Sequence, residues 1–151
     1  MSQSADQLLR ADHIMEYAYK RSLGSVLSHF FTGLRDKQVY GIKTAEGRVI
    51  VPPAEYDPET GNATEGFVEV GPGGVVKSWS WITSPKPKNV LQRPFAWALI
   101  ELDGADTGML HAVRAGSEAE MSTGMRVTIE WAADTVGQIQ DIACFVPETQ
   151  S

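Results

Sequence analysis

The chain has 151 residues, 42% hydrophobic and 21% charged, with a net charge of -6 and a pI of about 5.0. That length suits one globular unit with a modest core, and the acidic balance, without a Lys/Arg run interleaved with aromatics, excludes a field that gathers nucleic acid. No apolar stretch reaches the roughly 18 to 20 residues that span a bilayer, the N-terminus is polar where a signal peptide is apolar, and one cysteine, Cys144, allows no internal disulfide, so a cytoplasmic setting is expected.

Leu8, Ala11, Met15 and Tyr19 recur at helical spacing behind a Ser4/Gln7 capping-box pattern, which predicts a first amphipathic helix. After a break at 22–24, Leu23, Leu27, Phe30 or Phe31, and Leu34 form a second apolar stripe that ends in the polar run 35–38. From Val39 onward short runs rich in Val, Ile, Trp and Thr alternate with Gly, Pro and Asp turns, the texture of antiparallel β-structure. Strands are predicted over 39–43, 48–51, 66–70, 74–83, 95–102, 109–114, 125–131 and 139–145. The first two belong to a ribbon-like insert, and the others suffice for a small closed barrel without exposed edges. Gly71-Pro72-Gly73-Gly74 predicts a sharp corner, and 84–94, with Pro85, Pro87 and Pro94 among Lys86, Lys88 and Arg93, reads as an extended, solvated, basic loop.

Within the insert, Lys43-x-x-Glu46-Gly47, then Pro52-Pro53, then Asp57-Pro58-x-Thr60-Gly61 has the spacing of a zinc ribbon, whose two knuckles each present a pair of thiolates on a glycine-tightened turn. The thiolates are absent. Lys43 repels zinc, and Glu46, Asp57 and Thr60 are hard oxygen groups that do not replace four sulfurs. Gly/Pro/Asp turns of this kind also occur in ordinary loops.

The order of these parts is Phe30-Phe31-x-Gly33-Leu34, the degenerate knuckles, Gly74-Val75-Val76-x-Ser78-Trp79-Ser80, Ala98-Leu99-Ile100-Glu101-Leu102-Asp103, Gly124-Met125-x-Val127 and Phe145-x-Pro147. It resembles the bacterial and archaeal family of OB-fold proteins with a rubredoxin-like zinc ribbon that accompany thiolases. The likeness covers about residues 25–147 and rests on the order of the motifs more than on any one of them. It implies a mainly β fold: N-terminal helices over 1–38, a degenerate ribbon over 39–65, a five-stranded OB-fold barrel over 66–147 and a tail over 148–151. In the family, cysteines stand at the positions of Lys43, Glu46, Asp57 and Thr60. Their replacement removes zinc from the expectation and leaves the ribbon to packing of Val49, Val51, Pro52, Pro53 and Tyr56, without the roughly 10 kcal/mol that structural zinc contributes. The resemblance further implies a subunit, not catalytic alone, that docks on a thiolase-like or lipid-transfer-protein-like enzyme and shares its coenzyme A thioester substrate. In one branch that substrate is a steroid side-chain thioester cleaved by retro-aldol chemistry, an aldolase reaction of lipid metabolism.

The residues themselves offer no catalytic constellation. His13, His29 and His111 lie far apart with no fixed spacing to Cys, Asp or Ser, Cys144 sits among apolar neighbours without a base, and neither a G-x-S-x-G elbow nor a G-x-G-x-x-G or Walker pattern occurs. Trp79 and Trp81 share one strand face, so they either cover the barrel or meet a partner. Of Phe30 and Phe31 only one can point into the helix's own core, which makes the other a candidate anchor. Lys86, Lys88 and Arg93 are either ordinary solvated charges or candidates for the phosphates of coenzyme A. The alternative function is a stand-alone OB-fold binding module for an oligonucleotide or oligosaccharide, with Trp79, Trp81 and Trp97 stacking on its ligand.

Overall fold

The computed structural model describes residues 9–149. Helix α1 (Gly24–Arg35) buries Phe30, Gly33 and Leu34, whose i, i+3, i+4 spacing puts them on one face against the sheet that follows. Gly33 is required by close approach, since a Cβ there would lie 2.6 Å from the Tyr40 ring. The helix ends on Lys37, held at φ 58°, where the Lys37 amide donates to Leu34 O (3.0 Å) and the Gln38 amide to Gly33 O (2.8 Å). This is the paired closure normally built on glycine.

The helix predicted ahead of α1 is not formed over its described residues. Residues 9–22 carry no regular secondary structure and are exposed, while Ser4, Gln7 and Leu8 lie outside the described residues. The physical reason is that a helix of only ~12–15 residues is marginal in water unless its apolar face is packed, and the described residues leave this segment exposed.

Strands β1 (Val39–Lys43), β2 (Val49–Ile50) and β3 (Phe67–Val70) form a sheet in the order β2-β1-β3. The strand expected over 66–70 as part of the barrel thus pairs with β1, from Val39↔Val70 to Ile42↔Phe67. The corner at Gly71, with φ 70° and a cis bond to Pro72, then turns the chain out of this sheet into the barrel. The closed barrel comprises β4 (Gly73–Ile82), β5 (Phe95–Leu102), β6 (Gly108–Val113), β7 (Arg126–Trp131) and β8 (Ile142–Pro147), ordered β4-β5-β6-β8-β7. β7 closes on β4, and β6 meets β8 in parallel at Val113↔Phe145. This is the five-stranded Greek-key cylinder of an OB-fold. The strand expected from 139 begins at Ile142, because Ile139–Asp141 is a 3-10 turn.

Alternation along β5 shows how the barrel fills. Ala96, Ala98, Ile100 and Leu102 face inward and are buried, whereas Trp97, Leu99 and Glu101 face outward. Val76, Val127 and Phe145 complete the interior, and each such apolar side chain contributes on the order of 1.5–3 kcal/mol when fully withdrawn from water. Among the described residues no helix is long and apolar enough to cross a membrane.

Candidate functional site

A cavity of about 680 Å³ opens on the outer face of β5 and β6. Four separate segments line it: the β4–β5 loop through Lys88, Asn89, Val90 and Leu91; β5 and β6 through Trp97, Leu110 and His111; the 3-10 turn through Ile139 and Gln140; and the start of β8 through Ile142 and Ala143. This is the face, flanked by the first and last inter-strand loops, where OB barrels take their ligands. Its volume falls in the range of small-molecule sites, and its lining is mainly apolar with few polar groups. In a chain with 19 acidic residues, none of the lining residues is acidic. Val90, Leu99 and Leu110 extend the apolar surface into solvent, Leu99 lying directly across from Leu110.

Asp141 would place an acid beside the cavity but is turned away from it. Its buried carboxylate accepts the amides of Val136 (3.0 Å), Gly137 (2.7 Å) and Gln138 (3.2 Å), fixing the β7–β8 loop that carries Ile139 and Gln140. Burial pushes its carboxyl pKa up, but the three amides together outweigh this and hold it below the ordinary value. His111 is buried at the cavity floor, edge-on to Phe145 at 5.5 Å, and its Nδ1 accepts the Ala112 amide at 2.9 Å. Burial lowers its pKa against the weaker opposing pull of the Ala112 carbonyl, so the ring is a neutral packing group at physiological pH. Cys144 is fully buried, with its thiol pKa raised by burial, as suits a small apolar side chain. The exposed charges near the barrel end are equally committed: Arg126 pairs bidentately with Asp103 (2.8 and 2.7 Å) and also with Glu148 (2.9 Å).

The structure separates the residues singled out in the sequence. Lys86 and Lys88 share a turn, but it is folded rather than extended: the Lys86 amide donates to the Asn89 side chain (2.7 Å), and the Gln92 amide group donates to Asn89 O (3.0 Å). Lys88 reaches the cavity rim, whereas Arg93 points to the Ala115 carbonyl at 3.5 Å and is not part of the lining. Trp79 and Trp81 lie opposite Ala98 and Ala96, so these large rings fill the space left by small inward-facing residues and cover the barrel. Phe30 is 1% exposed and has no surface for a partner; Phe31 is half-buried, packs edge-on to Phe30 and lines a small pocket with Leu23 and Ile139. Leu110 and Ile139 were not singled out in the sequence. The signal for Leu110 was a leucine at an outward position of an alternating strand.

The two knuckle turns are present. The Thr44 amide donates to Arg48 O and the Gly47 amide to Thr44 O (2.8 and 2.9 Å); across the insert, the Asp57 amide donates to Asn62 O and the Gly61 amide to Asp57 O (both 2.8 Å). Arg48 links the two turns, pairing with Asp57 Oδ1 at 3.2 Å and with Glu59. Asp57 is buried, and the Glu59 amide first, then the Thr60 hydroxyl and Arg48, hold its carboxyl below the usual range against the cost of burial. The expectation that apolar packing alone carries the insert is therefore corrected: Val49, Val51 and Pro53 are buried, but Pro52 and Tyr56 are exposed, and an ion pair joins the turns. Lys43, Glu46 and Thr60 are exposed, and Asp57 is already satisfied, so this donor set does not fit a structural zinc. Among the described residues no three His, Cys, Asp or Glu side chains converge on a metal-sized site. Arg48→Ala is expected to lower the melting temperature by a few degrees at low salt, and the deficit should shrink in molar salt, where the parent pair is screened. A deficit unchanged by salt would show that Arg48 acts through packing of its stem.

Residues 67–132 match the family model of the ChsH2 C-terminal OB-fold domain. Among solved structures, a protein of unknown function from the DUF35 family of Sulfolobus solfataricus is 26% identical with a TM-score of 0.57, covering 70% of this chain and 78% of that one. An Ltp2–ChsH2(DUF35) aldolase chain is 18% identical with a TM-score of 0.60, covering 85% of this chain and 98% of that one, a likeness of fold. No curated protein sequence matches the chain. With a barrel of this strand order and a matching sequence over it, residues 67–132 form an OB-fold similar to the ChsH2 C-terminal OB-fold domains.

Proposed function

We propose that the chain is an accessory subunit that docks on a thiolase-superfamily enzyme and helps to shape its acyl-CoA site, with a steroid side-chain thioester as the substrate class. The observation that carries this reading is the apolar, acid-free cavity on the OB face, rimmed by Lys88, beside which His111, Cys144 and Asp141 are taken up by packing or backbone contacts. Carbon–carbon cleavage, of retro-aldol or thiolase type, belongs to the partner's residues. This chain supplies an apolar wall that excludes water and positions the thioester, with Lys88 and Lys86 attracting phosphate. The similarity to the Ltp2–ChsH2(DUF35) aldolase supports a hetero-oligomer of this kind.

A stand-alone module for oligonucleotide or oligosaccharide would use the same face. Stacking on several bases needs a row of exposed aromatics, and here Trp97 stands among aliphatic side chains while Trp79 and Trp81 face the barrel.

Co-expression with a thiolase-superfamily enzyme from the same genome, followed by size-exclusion chromatography, tests the proposal. The chain is expected to co-elute with that enzyme. Leu110→Glu, at a side chain 61% exposed and so not needed for folding, is expected to weaken the complex at least about tenfold without moving the melting temperature. Failure of the unaltered chain to co-elute with any such enzyme would remove the reading.

A further inference from the structure

We propose that the cavity on the outer face of β5 and β6 binds its ligand by itself, before any partner docks, and that it takes the apolar body of an acyl thioester while the anionic head stays outside its mouth. That the ligand is an acyl thioester rests on the accessory-subunit reading; that the site is complete in this chain does not. Three of its walls are fixed by contacts within the chain. The half-buried Trp97 ring is braced edge-on by the buried Phe95 at 5.3 Å. The Lys86 amide and the Gln92 side chain close the β4–β5 loop on Asn89 at 2.7 and 3.0 Å, and Asp141 gathers three amides of the β7–β8 loop behind Ile139 and Gln140. Walls that are already ordered spare the ligand the entropy cost of ordering them on binding. The free chain can therefore hold it.

The lining selects what enters. Trp97, Leu110, Ile139 and Ile142 present mainly carbon to the cavity, while the Asn89 side chain is committed to its own loop and the His111 Nδ1 to the Ala112 amide. A polar group pushed into such an interior would give up its water with little to replace it, whereas an acyl chain or fused-ring body gains by burial. Charge is confined to the mouth. Lys88 is the one charged lining residue, it has no ion pair among the described residues, and Lys86 shares its turn. An anionic head thus meets cations and no lining acid, in a chain of net charge -6. The several phosphates of coenzyme A exceed what one lining cation can neutralise, so the nucleotide lies outside, toward the two lysines, and the acyl body goes in. A cavity of about 680 Å³ lies within the roughly 300–1,000 Å³ of sites that enclose molecules of that kind.

The test uses the full chain without a partner, and anilinonaphthalene sulfonate, a fused-ring body with one anionic group, as the probe. One dye is expected to bind per chain, with a dissociation constant on the order of tens of micromolar. Octanoyl-CoA is expected to displace it at concentrations where coenzyme A does not. Leu110→Glu, which brings an acid to the acid-free lining at an exposed position, is expected to weaken dye binding at least about tenfold with the melting temperature unmoved. Absence of saturable dye binding, or binding that Leu110→Glu leaves unchanged, overturns the site. Displacement by coenzyme A as readily as by octanoyl-CoA, or by neither, overturns the choice of ligand. If the free chain binds no dye yet co-elutes with a thiolase-superfamily enzyme, this inference falls and the accessory-subunit reading stands; dye binding by a chain that co-elutes with no such enzyme has the reverse outcome.

Discussion

Phe145→Ala is expected to cost about 3–5 kcal/mol of folding stability, a large part of the roughly 5–15 kcal/mol that holds a domain of this size. Phe145 is fully buried at the seam where the barrel is most thinly joined. β6 and β8 register at one pair, Val113↔Phe145, and the Arg114 amide donates to Phe145 O at 2.8 Å. On its other side Phe145 pairs with Ile129 of β7, and its ring meets His111 edge-on. Removing the ring leaves a void that these strands cannot close without separating, because β8 is also tied to β7 over most of its length. The same seam carries His111, Ile142 and Ala143 at the cavity, so the destabilised variant should also lose binding of the proposed partner enzyme. Urea denaturation of the purified chain measures the effect. A loss below about 1 kcal/mol would mean that the seam is not held by this ring.

Asp141→Ala is expected to cost about 3 kcal/mol at neutral pH, since it leaves the amides of Val136, Gly137 and Gln138 without their acceptor inside a loop that is folded around them. Asp141→Asn keeps the shape but turns an N–H₂ group or a single oxygen toward three donors, so it should recover only part of the loss. The pH dependence follows from the sign of the shift. The folded carboxyl sits below its ordinary value of 3.8, so its stabilisation is fully present above that value and is lost as pH falls through the lower, folded value. Asp57, Asp103 and Glu148 are lowered too, so acid unfolding of the parent is shared among them. The informative quantity is therefore the difference between parent and Asp141→Asn. It should be constant from neutral pH down to about 4 and then narrow in more acid solution. A difference that stays flat through the acid limb would place the stabilisation in shape rather than in charge.

What could be read along the chain was whatever depends on near neighbours. Short runs of β-forming residues between turns marked 39–43 and 95–102 as strands, and the structure returns Val39–Lys43 and Phe95–Leu102. The Gly71–Gly74 corner, the stripe of α1 and the spacing of the two knuckle turns were legible because turn chemistry and helical or strand period act over a few residues. The end of α1 was less so, since Lys37 occupies a conformation that usually announces itself with glycine.

The candidate site was not legible as a unit, because its four segments are brought together only when the barrel closes. Lys88 and Arg93 are five residues apart in one basic loop, yet one reaches the cavity and the other a carbonyl behind it. Trp79, Trp81 and Trp97 look equivalent in a list of aromatics, and the register of β4 on β5 puts the first two opposite inward alanines and the third outside. Arg48 carried no motif, and its role emerged from the approach of two turns across an insert. The order of parts along the chain determined that an OB barrel follows an insert with two knuckle-like turns that carry no thiolates. Tertiary structure decided which apolar residues remain uncovered, since burial depends on cross-strand register and on the partners available to each face, and neither is a property of neighbouring residues.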